Sequence, residues 1–440
     1  MRPLMHRLAP VALATVLGCA TSPYDHAWIA RDLARRTGAA VGPQRPADAP
    51  SVPRGVSLDD GLTADEAVAL ALWNNPRFHA DLAQLGFSRA DLEEAGQLPN
   101  PLLTLMLPVA SHPLSFRVQA PLEALWQRGR RVAAAQRDVE RVARSLVQTG
   151  LDLARDVRLA HADAVLAGER QRVRAEAAAT LDAIIEITRL RAAAGDVGDA
   201  ELESARAEAL TARDASLRAE ADQQLALVAL RALVGFAADP RPLRAVADAP
   251  ADPAPDAPVA EVVRFALSAR PDLHAAGLAI EAAAARAGWE RTRIVSFTAA
   301  LDAVTLNPID GLALGPGLIA PLPIFNQNQG PIGRAEAEVE QTTWRAVALR
   351  QQVVAEVTQA HGQLAQARAS LARWRAEVSP SLERSVGHAN EQFTAGEASY
   401  LVVLDATRRA IDGRLRVVEL EADVRRALAQ RDRSAGGTPR

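Results

Sequence analysis

Two histidines lie at equivalent places in this chain, and zinc ligation is the first chemistry to consider for them. His79 follows the run Asn75-Pro76-Arg77-Phe78, and His274 follows the run Arg270-Pro271-Asp272-Leu273. Zinc sites collect several Cys, His or carboxylate side chains at short spacings. No Cys/His cluster flanks either histidine, so we expect both to have packing roles. A Ser/His/Asp set, a phosphate-binding loop and a paired-carboxylate motif are also absent. The sequence therefore predicts no enzyme activity, no catalytic residues, no metal site and no cofactor.

The single cysteine of the chain, Cys19, follows an N-terminal leader. Arg2 and Arg7 precede an apolar stretch that ends in Val16-Leu17-Gly18-Cys19. This order is typical of a secretory signal peptide, which we place at residues 1–18. The motif resembles a bacterial lipoprotein box, in which Cys19 is acylated and becomes the first mature residue. The residue after the cysteine is Ala20 and not Asp. In such lipoproteins this resembles a sorting signal for the outer membrane. The alternative is a free thiol in a leader that is cleaved elsewhere.

Composition favours long helices over a conventional globular core. Aromatic residues are only 4% of the 440 residues, although such side chains carry much of the buried area in large cores. Ala, Leu, Val, Arg and Glu dominate, as they do in long packed helices. A net charge of −3 gives no basic field for nucleic acid. We expect no transmembrane helix, because no apolar run of that length follows the leader.

The chain contains an internal duplication. Ala120-Pro121-Leu122 recurs at residues 320–322, an offset of 200, and Ala194-Gly195-Asp196 is matched by Ala395-Gly396-Glu397. We divide the chain into a tether at 19–56, repeat 1 at 57–236, a proline-rich linker at 237–258, repeat 2 at 259–433 and a tail at 434–440. Each repeat is predicted to contain helices, two strands and a long helical hairpin.

The predicted strand pairs span 102–122 and 296–322. In the first pair, Phe116, Val118 and Ala120 alternate with Ser115, Arg117 and Gln119, a period of two. Strands of this length cross a membrane when they are tilted. We therefore predict membrane strands, with an edge hairpin on a soluble domain as the alternative.

The long helix of repeat 2 has a coiled-coil pattern. Its seam positions repeat about every 3.5 residues, and many of them are alanine. Pro380 is predicted to kink this helix, and Gly396 to end it before Ser399 caps the returning helix. The seam consists of Ile332, Ala335, Val339, Thr342, Ala346, Leu349, Val353, Val357, Ala360, Leu364, Ala367, Leu371 and Trp374.

Six motifs in one order give the chain its resemblance to a known family. They are Leu62-Thr-Ala-Asp-Glu-Ala, Asn75-Pro76, Pro99-Asn-Pro101, Arg270-Pro271-Asp272-Leu273, Pro321-Leu-Pro-Ile-Phe325 and the run from Ala395 to Ala406. Together they resemble the TolC-like outer membrane efflux family. The lipoprotein box at Cys19 resembles the lipoprotein branch of that family, which partners resistance-nodulation-division pumps, including those for heavy metals. The resemblance implies a homotrimer in which an outer membrane β-barrel is continued by an α-helical barrel through the periplasm.

The strand count also requires an oligomer, because four strands cannot close a membrane barrel and open edges in lipid are costly. Two chains would give eight strands and three would give twelve. The resemblance selects the trimer. The predicted fold class is therefore mainly α with a small β part: a trimeric α-barrel continued by a 12-stranded membrane β-barrel.

The resemblance also assigns candidate sites. Asp405 matches an acidic ring at the periplasmic aperture, with Val402 one turn earlier; the alternative for Asp405 is a solvated helix carboxylate. The tips Gly195, Asp196, Gly396 and Glu397 match contacts with a periplasmic adaptor. Glycine at such positions also ends helices, because it tolerates positive φ.

The function predicted is that of a passive exit duct in the outer membrane. An inner membrane pump would deliver metal ions or drugs to it through the adaptor, and Cys19 would anchor the chain to outer membrane lipid. The alternatives are a periplasmic coiled-coil adaptor and a structural lipoprotein without a pore. The sequence does not identify the exported substrate.

Overall fold

The computed structural model describes residues 20–43, 49–108, 114–248, 257–307, 311–395 and 397–437. The described chain is mainly helical with a small β part, which confirms that prediction. It divides into two compact units, each built from separate stretches of sequence. In the described ranges, we find no helix that is both long enough and apolar enough to span a membrane. Unit 1 comprises Met1–Ile29, Asp81–Val147 and Pro271–Gln351; unit 2 comprises Ala30–Ala80, Gln148–Arg270 and Gln352–Arg440.

The elements follow one another in two runs. The first run is α1 His26–Thr37, α2 Ala64–Asn74, α3 Pro76–Leu82, α4 Gln84–Gly96, β1 Leu102–Met106, β2 Ser115–Pro121, α5 Glu123–Ala193 and α6 Asp199–Leu233. The second is α7 Val259–Ala269, α8 Pro271–Thr292, β3 Thr298–Asn307, β4 Gly311–Ile319, α9 Gln329–Arg373, a π-helical turn Trp374–Val378, α10 Ser379–Thr394 and α11 Tyr400–Ala435. Helix α11 thus continues past residue 433, where we placed the end of repeat 2.

The start of helix α2 follows from local side-chain chemistry. The sequence has Thr63 as an N-cap candidate with Glu66 three residues later, the pattern of a capping box. The structure confirms it, since each of the two side chains accepts a hydrogen bond from the other residue's backbone N–H. From the sequence we expect one helix from about residue 77 to 97, whereas the structure has two helices, α3 and α4. They meet at Ala83, whose carbonyl accepts a hydrogen bond from the Gly86 N–H, the tighter spacing of a 3₁₀ turn.

The predicted seam of α9 is confirmed by burial. Every seam position from Ile332 to Trp374 is buried or half-buried, and Val353, Val357 and Leu364 are almost fully so. The expected effect of Pro380 takes a specific form, because a π-helical turn lies directly before it. The Ser379 N–H donates to the Trp374 carbonyl, five residues back. Proline lacks an N–H and crowds the preceding carbonyls, and a wider turn relieves that conflict.

The described part of unit 1 contains an antiparallel sheet with the strand order β1-β2-β3-β4. The central pairing joins β2 to β3, with Ser115 opposite Val304 and Pro121 opposite Thr298. The two predicted strand pairs therefore share one sheet, and β1 and β4 lie at its edges. All described strand side chains except Ala300 are exposed or half-buried.

Unit 2 is tied together by a buried ionic network. Arg270, which is only 1% exposed, donates to the Glu356 carboxylate at 2.7 Å and to the Ser434 carbonyl at 3.2 Å. Arg433 donates to the same Glu356 oxygen at 2.6 Å and to Asp152 at 2.7 Å. Two arginines thus share one carboxylate and join α5, α9 and α11 to the end of α7.

Helix α1 lies in the segment that we predicted as a tether, and part of it is buried. In unit 2, Leu33 is fully buried beside Gly150 of α5. A Cβ on Gly150 would lie 2.6 Å from the Leu33 Cδ2, so the close approach of this side chain to α5 depends on glycine.

Candidate functional site

The first candidate tip is the turn between α5 and α6. Gly195 has φ +83°, and a Cβ there would meet no atom within 4 Å, so its backbone conformation alone explains the glycine. The Asp196 N–H donates to the Arg191 carbonyl at 2.9 Å, which satisfies one of the last carbonyls of α5. Both tip residues are exposed.

The second candidate tip, between α10 and α11, has the same backbone hydrogen bond. The Glu397 N–H donates to the Gln392 carbonyl at 2.8 Å, again across five residues. Glu397 is exposed, whereas Gly396 lies outside the described residues. Ser399 is the N-cap of α11 by position, but its side chain makes no capping hydrogen bond. The predicted N-cap position is therefore confirmed, without a side-chain hydrogen bond.

An apolar cluster behind the tips fixes the orientation of α11. Leu404 of α11 packs with Leu181 of α5 and with Ala205 and Ala209 of α6. Phe393 of α10 contacts this cluster, and the Arg191 guanidinium lies 4.5 Å above its ring. A guanidinium over an aromatic face is attracted by the ring quadrupole.

Three residues of α11 remain on the exposed side of this turn of helix. Leu401 and Val402 are exposed apolar side chains, and Asp405 is an exposed carboxylate. Asp405 forms an ion pair with Arg409, one turn later in the helix. Arg409 Nη2 lies 2.8 Å from Asp405 Oδ2. We did not anticipate Arg409, although the i,i+4 spacing of Asp405 and Arg409 is a readable signal.

The predicted strand residues lie in β2 with the expected alternation. Phe116, Val118 and Ala120 share one face of the sheet, because alternate residues of a strand point to opposite sides. From the pairing registers, this face also includes Leu103, Leu105, Ala299, Leu301, Ala303, Leu314, Pro316 and Leu318. All are apolar, and several of the large ones are more than half exposed.

The two histidines are not part of a metal site in the described structure. His79 Nε2 lies 3.0 Å from the Trp73 carbonyl oxygen, in unit 2, whereas His274 belongs to unit 1. No group of three or more His, Cys, Asp or Glu side chains is arranged to hold a metal among the described residues. Cys19 and the predicted signal peptide at 1–18 lie outside the described residues.

Comparisons with known proteins agree with this geometry. Residues 262–437 match the family described as outer membrane efflux protein. The cobalt-zinc-cadmium resistance protein CzcC of Cupriavidus metallidurans is 27% identical over 379 residues, which cover 85% of this chain and 90% of CzcC. The resemblance to the TolC-like outer membrane efflux family is confirmed. That family consists of efflux channels and not of enzymes.

Solved structures of such proteins have the same fold. The outer membrane protein VceC of Vibrio cholerae superposes with a TM-score of 0.72 at 19% identity, over 85% of this chain and 96% of VceC. The outer-membrane channel OprN gives a TM-score of 0.74 at 17% identity, over 90% of this chain and 99% of OprN. At these identities the likeness establishes the TolC-like fold of the chain.

Proposed function

We propose that the chain is the outer membrane exit channel of a tripartite efflux system. Three copies form a passive duct, and an inner membrane pump loads it through a periplasmic adaptor. The observation that carries this proposal is the apolar face of the sheet. On this face Leu103, Leu314 and Leu318 are each 63% exposed. Exposure of such an apolar face to water is unfavourable, whereas contact of the same face with the hydrocarbon of a membrane is favourable.

The two open edges of the sheet support an oligomer. Strands β1 and β4 each pair on one side only. The backbone N–H and C=O groups on the outer side of each of these strands therefore have no strand partner in the described chain. Within hydrocarbon those groups need partners, which a neighbouring copy supplies by pairing its β1 with β4. Three copies give a closed barrel of twelve strands, within the natural range of membrane barrels.

The helical hairpins form the periplasmic part of the proposed duct. The duplicated frame at 57–236 and 259–433 places a tip at Gly195-Asp196 and another at Gly396-Glu397. Gly195, Asp196 and Glu397 are exposed. The two tips contact the adaptor, and Asp405 with Val402 lines the aperture. Cys19, lipidated and made the first mature residue by removal of residues 1–18, anchors the chain to the outer membrane.

Metal cations are the favoured cargo. The support is the similarity to CzcC, which is named for resistance to cobalt, zinc and cadmium. The duct itself needs no metal-binding site for this role, since cargo must leave as readily as it enters.

The test is reconstitution of the full-length protein. We expect a detergent-solubilised trimer whose migration on gels changes with heating, and discrete open-channel currents in planar bilayers. A water-soluble protein without channel currents would favour the alternatives, a coiled-coil adaptor or a structural lipoprotein. Deletion of the gene in its native host should lower resistance to cobalt, zinc or cadmium if metals are the cargo. Unchanged metal resistance with restored drug sensitivity would assign drugs instead.

A further inference from the structure

The four strands contain one pair of opposite charges. Arg117 of β2 and Asp302 of β3 are the only charged residues within the strand bounds given above. They lie directly opposite each other in the β2–β3 register, and Arg117 Nε is 2.5 Å from Asp302 Oδ1. Because a cross-strand pair shares one face of the sheet, both charges project from the same side.

That side is the one opposite the apolar face. Arg117 alternates with Phe116 and Val118, and Asp302 alternates with Leu301 and Ala303, so the charges and the leucine-rich surface point in opposite directions. If the apolar face contacts lipid, as the proposed function requires, the pair faces the lumen of the barrel.

The row of the sheet that contains the pair is lined by small and polar side chains. Thr104 lies opposite Arg117 on β1, and Gly315 lies opposite Asp302 on β4. Gly317 is a further small residue on this face of β4, two residues along. The Arg117 and Asp302 side chains are 49% and 36% exposed, so water reaches both. In this row Thr104 has a short side chain and Gly315 has none, so Arg117 and Asp302 are its main projecting groups.

We infer that Arg117 neutralises Asp302 so that the lumen carries no net fixed charge at this level. In a trimer, three unpaired carboxylates at one height would form an acidic ring, the arrangement that attracts and holds cations in cation channels. A duct that exports divalent cations conducts only if they leave it readily. A guanidinium beside each carboxylate removes that retention without removing the polar surface. This inference deepens the proposed function and rests on it.

The experiment compares Arg117→Gln, Asp302→Asn and the double variant with the wild type, all as full-length protein in planar bilayers. Arg117→Gln should shift the K⁺/Cl⁻ permeability ratio toward cations, on the order of threefold, and make the current sensitive to Cd²⁺ added on the barrel side. Asp302→Asn should shift the ratio by a similar factor toward anions. The double variant should return to the wild-type ratio, which a merely structural role does not predict.

Arg291→Gln is the matched control, because Arg291 pairs with Glu336 at 2.6 Å in unit 1 but lies outside the strands. It should leave the permeability ratio unchanged. A wild type without channel currents would reject the proposed function, and this inference with it. Trimeric, conducting variants with wild-type selectivity would reject the inference alone. Loss of assembly in both single variants with rescue in the double would make the pair a structural cross-strand contact and would also overturn it.

Discussion

Asn75 and Arg270 are buried side chains that each hold the end of a long helix. Each residue directly precedes a proline that begins a helix, Pro76 or Pro271. Asn75 Nδ2 donates to the Leu233 carbonyl at the end of α6, at 2.8 Å. Arg270 Nη1 donates to the Ser434 carbonyl near the end of α11, at 3.2 Å. Both bonds satisfy carbonyls that an α-helix leaves without an intrahelical partner.

Replacing Arg270 with Ala should strongly destabilise unit 2. The change leaves Glu356 with Arg433 as its one remaining arginine partner and opens a buried space, and breaking a buried ion pair costs about 3–5 kcal/mol. Arg426→Ala is the control, because its ion pair with Asp163 is partly exposed and such pairs contribute about 0–1 kcal/mol. Urea unfolding followed by circular dichroism measures both. Equal midpoints would show that the network contributes little to the free energy of unfolding.

The same network should make stability depend on acid. Burial alone would raise the pKa of Glu356, but hydrogen bonds from Arg270 and Gln352 and the charge of Arg433 outweigh it and lower the pKa below 4.5. A carboxylate whose pKa is lower in the folded state stabilises the fold above its unfolded pKa, and this contribution is lost as pH falls. Glu356→Gln should therefore destabilise at neutral pH, and its difference from wild type should shrink below about pH 4.5. A difference that stays constant with pH would contradict this assignment.

Gly235→Ala should destabilise the protein more than Gly195→Ala. Both glycines have positive φ, +77° and +83°, which costs a residue with a Cβ about 1–2 kcal/mol. At Gly235 a Cβ would also lie 2.6 Å from the Asn74 carbonyl oxygen, whereas at Gly195 nothing lies within 4 Å. The difference between their thermal midpoints isolates the steric contribution. Similar midpoints would mean that the backbone at Asn74 shifts easily.

Arg409→Gln should increase the cation preference of the channel if Asp405 lines the aperture. The Arg409→Gln change removes the ion-pair partner of Asp405, so the carboxylate stays as an uncompensated negative charge. Asp405→Asn should instead lower the cation preference, because it leaves the positive charge of Arg409 uncompensated. Arg416→Gln is the control, because its partner Glu419 retains Arg170 at 2.7 Å. Reversal potentials and divalent block in planar bilayers report the result. If neither property responds to Asp405 or Arg409, the constriction lies elsewhere, with Val402 and Leu401 as the next candidates.

Val118→Arg should impair assembly, whereas Gln119→Arg should be tolerated. Val118 lies on the apolar face and Gln119 on the opposite one. An arginine facing lipid near the midplane costs about 2–4 kcal/mol, and one facing the lumen costs little. The yield of heat-modifiable trimer measures the difference. Equal yields would argue for a soluble hairpin.

Cys19→Ser should abolish acylation and leave an uncleaved or miscleaved leader. Mass spectrometry of the mature N-terminus and incorporation of labelled fatty acid detect both effects. Equal incorporation of label into the mutant would remove the lipoprotein assignment. Pore formation should persist, because in the proposed assembly the barrel itself holds the membrane.

The sequence predicted what depends on local chemistry and periodicity. The Thr63–Glu66 capping box needs only its own turn, and the seam from Ile332 to Trp374 follows from a regular apolar repeat. It did not predict contacts between distant segments, such as the convergence of Arg270 and Arg433 on Glu356. Those contacts depend on how helices align in space, which no local pattern encodes.

Local reasoning also failed where alternatives differ by little energy. The break at Ala83 and the π-helical turn before Pro380 each shift a hydrogen bond by one residue, with no composition signal. Ser399 has the backbone conformation of an N-cap, yet its hydroxyl does not cap α11. At the aperture, the resemblance suggested Asp405 but gave no reason to look for Arg409.

The pairing of β2 with β3 has a consequence for the order in which the protein is made. Arg117 and Asp302 are 185 residues apart, so a chain that emerges from its N-terminus completes β2 long before its partner exists. During that interval the first hairpin presents leucines and an unpaired strand edge to water, the conditions that favour aggregation. Closing so distant a contact is also intrinsically slow. The first hairpin therefore stays prone to aggregation until β3 pairs with β2.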